Sequence, residues 1–149
     1  MNRRTLLLSA IALPLMSRVA LATPTRMTVY LSPTCGCCSA WVEHARTAGY
    51  DLTVIESDQE ELMRQKSERG VPDALAGCHT VDVDGYTIEG HVPMEDIARL
   101  LSERPDALGL AVPGMPAGSP GMEMGARVDP FDVILFAADN ESSVFASHS

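Results

Sequence analysis

Positive charge is what this sequence has least of. Across 149 residues it carries 11 Lys and Arg against 20 Asp and Glu, a formal net charge of -9 at pH 7. A surface weighted this way repels nucleic acid and anionic lipid and suits cationic partners. Beyond residue 22 there is no apolar run long enough to cross a bilayer, which needs about 20 residues. No internal repeat and no second domain is evident. Cysteine is sparse, with four residues, and only one Cys-x-x-Cys is present. The absence of a second such pair weakens a structural zinc module.

The one sustained apolar run lies at the start. Arg3 and Arg4 precede Leu6 to Met16, and Ala20-Leu21-Ala22 follows. A charged n-region, a short h-region and a small-residue cleavage site read as a signal peptide over residues 1–22. The route is Sec or twin-arginine, since the Arg pair matches the latter only loosely; a retained N-terminal anchor is the alternative. Export leaves residues 23–149, about 127 in number, as a single domain. Losing Arg3, Arg4 and Arg18 leaves 8 basic residues against 20 acids, so the charge deepens to -12. The expected compartment is the periplasm, which permits disulfides.

Three of the four cysteines, Cys35, Cys37 and Cys38, fall in "SPTCGCC" (Ser32 to Cys38), and the fourth, Cys78, is forty residues on. A disulfide within such a cluster closes almost no loop and adds little through chain entropy. The spacing favours chemistry over stapling. It does not choose between a redox pair and a metal clasp.

The order of elements narrows the fold. "MTVYL" (Met27 to Leu31) and "DLTVIES" (Asp51 to Ser57) read as strands. Between them, Ala40, Trp41, Val42, Ala45 and Ala48 recur at helical spacing until Gly49. "DQEELMRQKSERG" (Asp58 to Gly70) reads as a charged helix with a solvated face. "CHTVDV" and "YTIEG" flank Asp84-Gly85 as a hairpin, and Met94 to Arg104 is a closing helix. Strands one and two should be parallel and the hairpin strands antiparallel. This order resembles the thioredoxin fold in its compact, glutaredoxin-like form: an α/β mixed sheet flanked by helices, with a core over 27–136. The resemblance rests on Cys35 and Cys38 between strand and helix, and on Val71-Pro72 at the place of the family's cis-proline. It puts Cys35 at a helix N-terminus, where the dipole favours a thiolate. It also brings Cys78 to the same end of the sheet.

Other soft or basic ligands are available. His79 adjoins Cys78, and His91 ends the fourth strand in "EGHVP". His44 reads as structural or exposed, and His148 as idle in a frayed tail. "PGMPAGSPGMEMG" (Pro113 to Gly125) holds seven Pro or Gly in 13 residues. Its Met115, Met122 and Met124 therefore lie in a loop, since Pro116 and Pro120 interrupt any helix. The loop either plugs gaps with methionine or folds thioethers over the thiolates, a donor set suited to Cu(I). "PFDVILFAAD" (Pro130 to Asp139) reads as an extra C-terminal strand at the sheet edge.

Taken together, "SPTCGCC", "AWVEH", "GVP", "LAGCHT", "GYTIEGHVP" and "GLAVPGMPAGSPGMEMG" resemble the periplasmic CopG-type copper-binding proteins. The resemblance implies a thioredoxin-like fold and copper, bound chiefly as Cu(I) and as several ions, in copper resistance. It implies Cys35, Cys37, Cys38 and Cys78 as metal ligands, with His79, His91, Met115, Met122 and Met124 as helpers. Copper ions, and other periplasmic copper-handling proteins, are the implied partners. The protein would sequester copper or process it by redox chemistry between Cu(I) and Cu(II). The rival from another class is a thiol-disulfide oxidoreductase, with Cys35 as nucleophile and Cys38 resolving.

Overall fold

A computed structural model describes residues 23–149; the expected signal peptide, residues 1–22, lies outside the described residues. The chain runs β1 (Arg26–Leu31), α1 (Gly36–Thr47), β2 (Asp51–Glu56), α2 (Gln59–Glu68), β3 (Thr80–Val83), β4 (Tyr86–Gly90), α3 (Met94–Glu103), β5 (Gly109–Val112), β6 (Phe131–Phe136) and β7 (Ser142–His148). Among the described residues no helix is long and apolar enough to cross a membrane.

The strands form one seven-stranded sheet in the order β2-β1-β3-β4-β5-β6-β7. β1 pairs with β2 in parallel and with β3 in antiparallel fashion. β3 and β4 form the hairpin, closed by Asp84 and Gly85, both at positive φ as a two-residue turn with the right twist requires. This is the thioredoxin-like α/β arrangement expected from the order of elements.

Two expectations are corrected and one strand is added. First, the Val71–Pro72 peptide is trans: no peptide bond among the described residues is cis. Pro72 instead caps a 3-10 turn over Asp73–Leu75, accepting from the Leu75 N–H at 2.8 Å. The stretch after that turn is what returns to α1. Second, β6 is not an edge strand. The tail read as frayed is β7, paired along its length with β6. His148 is not idle, for its Nε2 lies 2.7 Å from Asp96 on α3 and its ring stacks on Phe131. Third, β5 joins the sheet in parallel with β4 through a segment read only as part of a motif.

The main core explains the placement of α1 and α3. Trp41, Val42 and Ala45 of α1 and Ile97 and Leu100 of α3 pack on Met27, Val29, Leu31, Val81, Ile88, Leu110 and Val112. Those strand residues lie at alternate or register-paired positions of β1, β3, β4 and β5, so they share one face of the sheet. Ala111, between Leu110 and Val112, faces the other side, where it packs with Val71 and Phe136. Helix α2 is capped by Asp58, whose carboxylate accepts from the Glu61 N–H at 2.9 Å. Its charged face is only partly solvated, because Gln65 and Lys66 are buried.

Candidate metal centre

Helix α1 begins at Gly36 with Cys35 as its N-cap. No side chain caps this end, and its first turn holds no acidic residue. Free N–H groups and the positive end of the helix dipole are therefore left facing the cysteines that open the helix. Cys35 and Cys38, one turn apart, are joined as a disulfide. Cys37 and Cys78 are free. Cys37 Sγ lies 3.4 Å from Cys35 Sγ.

Cys78 arrives on the segment that leads into β3. Because β1 and β3 are neighbours, the segment leading into β3 passes the start of α1. All four cysteine sulfurs lie within 4.8 Å of one another. The convergence expected of Cys78 is observed. Cys78 and His79 precede the first paired residue of β3, Thr80, so the two side chains need not alternate as in a strand. They diverge. The Cys78 sulfur joins the cluster, whereas the fully buried His79 ring packs 4.7 Å from Trp41 and 5.1 Å from His91.

Both imidazoles are held neutral. Burial pushes His79 well below the ordinary histidine value, with smaller contributions from His91 and Lys66. Burial also lowers His91, opposed by its bond to Pro120. His91 Nδ1 lies 2.9 Å from the Pro120 carbonyl oxygen, which can only accept, so Nδ1 carries the proton and Nε2 a lone pair. Nε2 of His91 and both ring nitrogens of His79 are buried without a hydrogen-bond partner. Buried polar atoms are seldom left so. A neutral imidazole with a bare nitrogen is the form that ligates metals.

The Met-rich loop folds back over this end of the sheet. Met115 Sδ lies 2.6 Å from Cys78 Sγ. Met115 adopts φ 49°, a left-handed conformation that costs a non-glycine residue about 1 kcal/mol or more. Strain of that kind persists where surrounding contacts impose it. Gly121 seats the loop on α1: a Cβ there would come within 2.6 Å of the Cys37 carbonyl and 2.8 Å of the Trp41 nitrogen. A further tie joins His44 on α1 to Glu123, at 2.8 Å. Met122 is half-buried in the turn closed by its N–H to the Ser119 carbonyl, and the Met124 side chain is 75% exposed. The loop thus brings Met115 onto a cysteine and turns Met124 to solvent.

Burial raises the Cys78 thiol to about 11, with Cys37 adding to the effect. Metal-free, Cys78 therefore keeps its proton at neutral pH. With Cys35 and Cys38 oxidised, two free thiols and one thioether meet at the site, and neither His79 nor His91 joins the four cysteines whose ligand atoms lie within 4.8 Å of one another. After two-electron reduction it holds four thiols. The donor set is soft and fits Cu(I) better than zinc, which takes no thioether.

Sequence reasoning missed the supports of this site. Lys66, Thr80 and Glu89 form a buried polar network next to the Cys78 segment. Lys66 sits in a charge run whose composition signals solvation, and one glutamate in a strand gives no sign of burial. Gly121 and the His44–Glu123 tie were equally silent, since both depend on where the loop lands.

Comparison with known proteins follows the same lines. A family model described as a protein of unknown function, DUF411, matches residues 75–122. No curated protein matches. Two solved structures are similar over most of the chain. Copper resistance protein CopG, form 2, is 40% identical with a TM-score of 0.79, covering 85% of this chain and 100% of that one. Form 1 of the same protein is 41% identical with a TM-score of 0.78, covering 85% and 98%.

Proposed function

The chain belongs to the family of the copper resistance protein CopG, and from that premise we propose that it is an exported protein that binds Cu(I) in copper resistance. The observation that carries this reading is the meeting of four cysteine sulfurs within 4.8 Å, with the Met115 thioether against one of them. In the proposed function Cys35, Cys37, Cys38 and Cys78 hold the metal. Met115 closes the site from the loop, while His79 and His91 stand outside the four-sulfur group as the candidate nitrogen donors. Several thiolates near one another bridge more than one Cu(I), because each sulfur has spare lone pairs, and the bound cations remove the repulsion between thiolates. The uncapped start of α1 favours the thiolate forms. The working compartment in this reading is the periplasm, where an acidic surface tolerates cationic metal and the twin needs of export and oxidation coincide.

A redox extension is favoured by one observation, the Cys35–Cys38 disulfide. Two Cu(II) ions each take one electron from the reduced pair, which closes to the disulfide and releases its two protons. Run backwards, the disulfide accepts the electrons of two Cu(I).

Anaerobic titration of the reduced protein with Cu(I) against a chromogenic Cu(I) chelator tests the reading. The expected outcome is tight binding of more than one Cu(I) per chain, abolished when Cys35, Cys37 and Cys38 are all changed to Ser. Undiminished binding in that variant would sink it.

A further inference from the structure

Buried charge lies beside the cysteines as well as the sulfurs themselves. Glu89 on β4 is fully buried, Lys66 on α2 has a side-chain exposure of 5%, and the two form an ion pair. Such a pair contributes little stability that an apolar pair of the same size would not, because desolving two charges offsets their attraction. The carboxylate has other engagements. Its Oε1 also accepts from the Gly77 backbone N–H at 2.6 Å, and its Oε2 accepts from the Thr80 hydroxyl at 2.7 Å. That hydroxyl accepts in turn from the Lys66 ammonium at 2.9 Å. Every hydrogen-bond partner of the carboxylate is thus a donor.

Gly77 immediately precedes Cys78, and the segment is pinned on its other side too. Gly77 lies so close to β4 that a Cβ on it would come within 2.8 Å of the Gly90 Cα. The Gly90 N–H donates to the His79 carbonyl at 2.9 Å. The backbone is therefore held just before and just after Cys78, by two consecutive residues of one strand.

We propose that Glu89 is a positioning residue for Cys78: its carboxylate grips the Gly77 amide and so sets where the Cys78 sulfur stands over Cys35, Cys37 and Cys38, with Lys66 as the counter-charge that lets a carboxylate occupy that place. This deepens the copper reading and rests on it for its consequence, though not for its geometry. Without an acceptor at residue 89 the half-buried Gly77 N–H loses its partner, and the segment swings to satisfy it. Metal ligands whose outer supports are removed typically lose 10–100-fold in affinity.

Two charge-free pairs separate this role from mere stability. In Lys66→Met with Glu89→Gln, the amide oxygen accepts from Gly77 and the amide nitrogen donates to Thr80. In Lys66→Met with Glu89→Leu, the acceptor is gone while the charges are equally absent. Cys78 alkylation in the reduced, metal-free proteins is followed by peptide mass spectrometry, and Cu(I) affinity by chelator competition. The Gln pair should match the wild-type alkylation rate and affinity. The Leu pair should alkylate Cys78 at least about tenfold faster and lose about 10–100-fold in affinity. Equal alkylation rates in the two pairs overturn the proposal. Should the Leu pair not fold, hydrogen exchange in the wild-type protein decides: a Gly77 amide protected as deeply as that of Gly90 supports it, and one exchanging like an open loop overturns it. Alkylation and exchange are read without metal. If they come out as expected but no variant, nor the wild type, binds Cu(I), the copper reading falls and the positioning role stands.

Discussion

In the proposed function copper and the Cys35–Cys38 bond compete for the same two sulfurs. The oxidised protein offers Cys37 and Cys78 as thiols, whereas the reduced protein offers all four cysteines. If each of the two withdrawn ligands is worth at least about tenfold in affinity, in line with the smaller losses seen when only supporting residues are removed, the reduced form binds Cu(I) at least about 100-fold more tightly. By linkage the same factor favours reduction when copper is present. For a two-electron couple a tenfold change is about 30 mV, so saturating Cu(I) should raise the apparent midpoint potential of the pair by about 60 mV or more. The assay equilibrates the protein anaerobically in buffers of dithiol and disulfide, with and without Cu(I), at chelator-buffered free metal. The fraction of Cys35–Cys38 disulfide is then read by alkylation and mass spectrometry. A midpoint that does not move, or moves down, refutes the reasoning, because it means that the two sulfurs are not ligands in the reduced state.

Other consequences are as direct. Cys37→Ser keeps Cys35 and Cys38 and should leave dithiol exchange with a model disulfide intact while lowering copper stoichiometry or affinity; lost exchange with full copper loading would favour the oxidoreductase reading. Met115→Leu should weaken Cu(I) binding, whereas Met124→Leu, at a side chain 75% exposed, should not, as chelator competition on the two variants would show. Copper uptake should release the Cys78 proton, which burial holds up to about 11, so apparent affinity should rise with pH through the neutral range by about tenfold per unit for each proton displaced; a flat profile between pH 6 and 8 would contradict this. Gly109→Ala places a Cβ within 1.7 Å of the Thr87 carbonyl, a clash with backbone that cannot rotate away, and should cost about 2 kcal/mol or more in chemical denaturation by forcing β5 off β4.

The sequence made the front of the molecule readable and left the back obscure, for a physical reason. From Met27 to Arg104 each element carries its own punctuation: Pro33 after β1, Gly49 after α1, the Asp58 cap before α2, Asp84-Gly85 in the hairpin. Local signals of that kind decide local structure. β5 and β7 have no such signature. Gly109–Val112 is four residues long and becomes a strand because β4 and β6 flank it. Ser142–His148 is polar, and it is ordered by the β6 edge, by the Asp96–His148 contact and by Arg99, whose guanidinium lies 3.6 Å from the Phe145 ring centre. Tertiary partners outweighed propensity in both. At the site, clustering announced the three neighbouring cysteines, and the element order was enough to bring in Cys78. The direction of His79 was not legible, because it depends on where β3 starts to pair. Nor was the burial of Lys66 and Glu89, since a charge shows its partner only in three dimensions.

Trp41 is the single tryptophan of the chain. It is fully buried, donates from Nε1 to the Val92 carbonyl at 3.0 Å, and lies one helical turn beyond Cys37 with its ring against His79. With one indole, selectively excited emission has one origin, and that origin is the floor of the candidate site. The protein therefore carries its own optical reporter. Metal uptake, opening of the loop seated by Gly121, or protonation of His79 would each alter quenching of the same fluorophore, with no added label to disturb the sulfurs. Emission recorded during a copper titration would follow the arrival of metal at this end of the sheet directly.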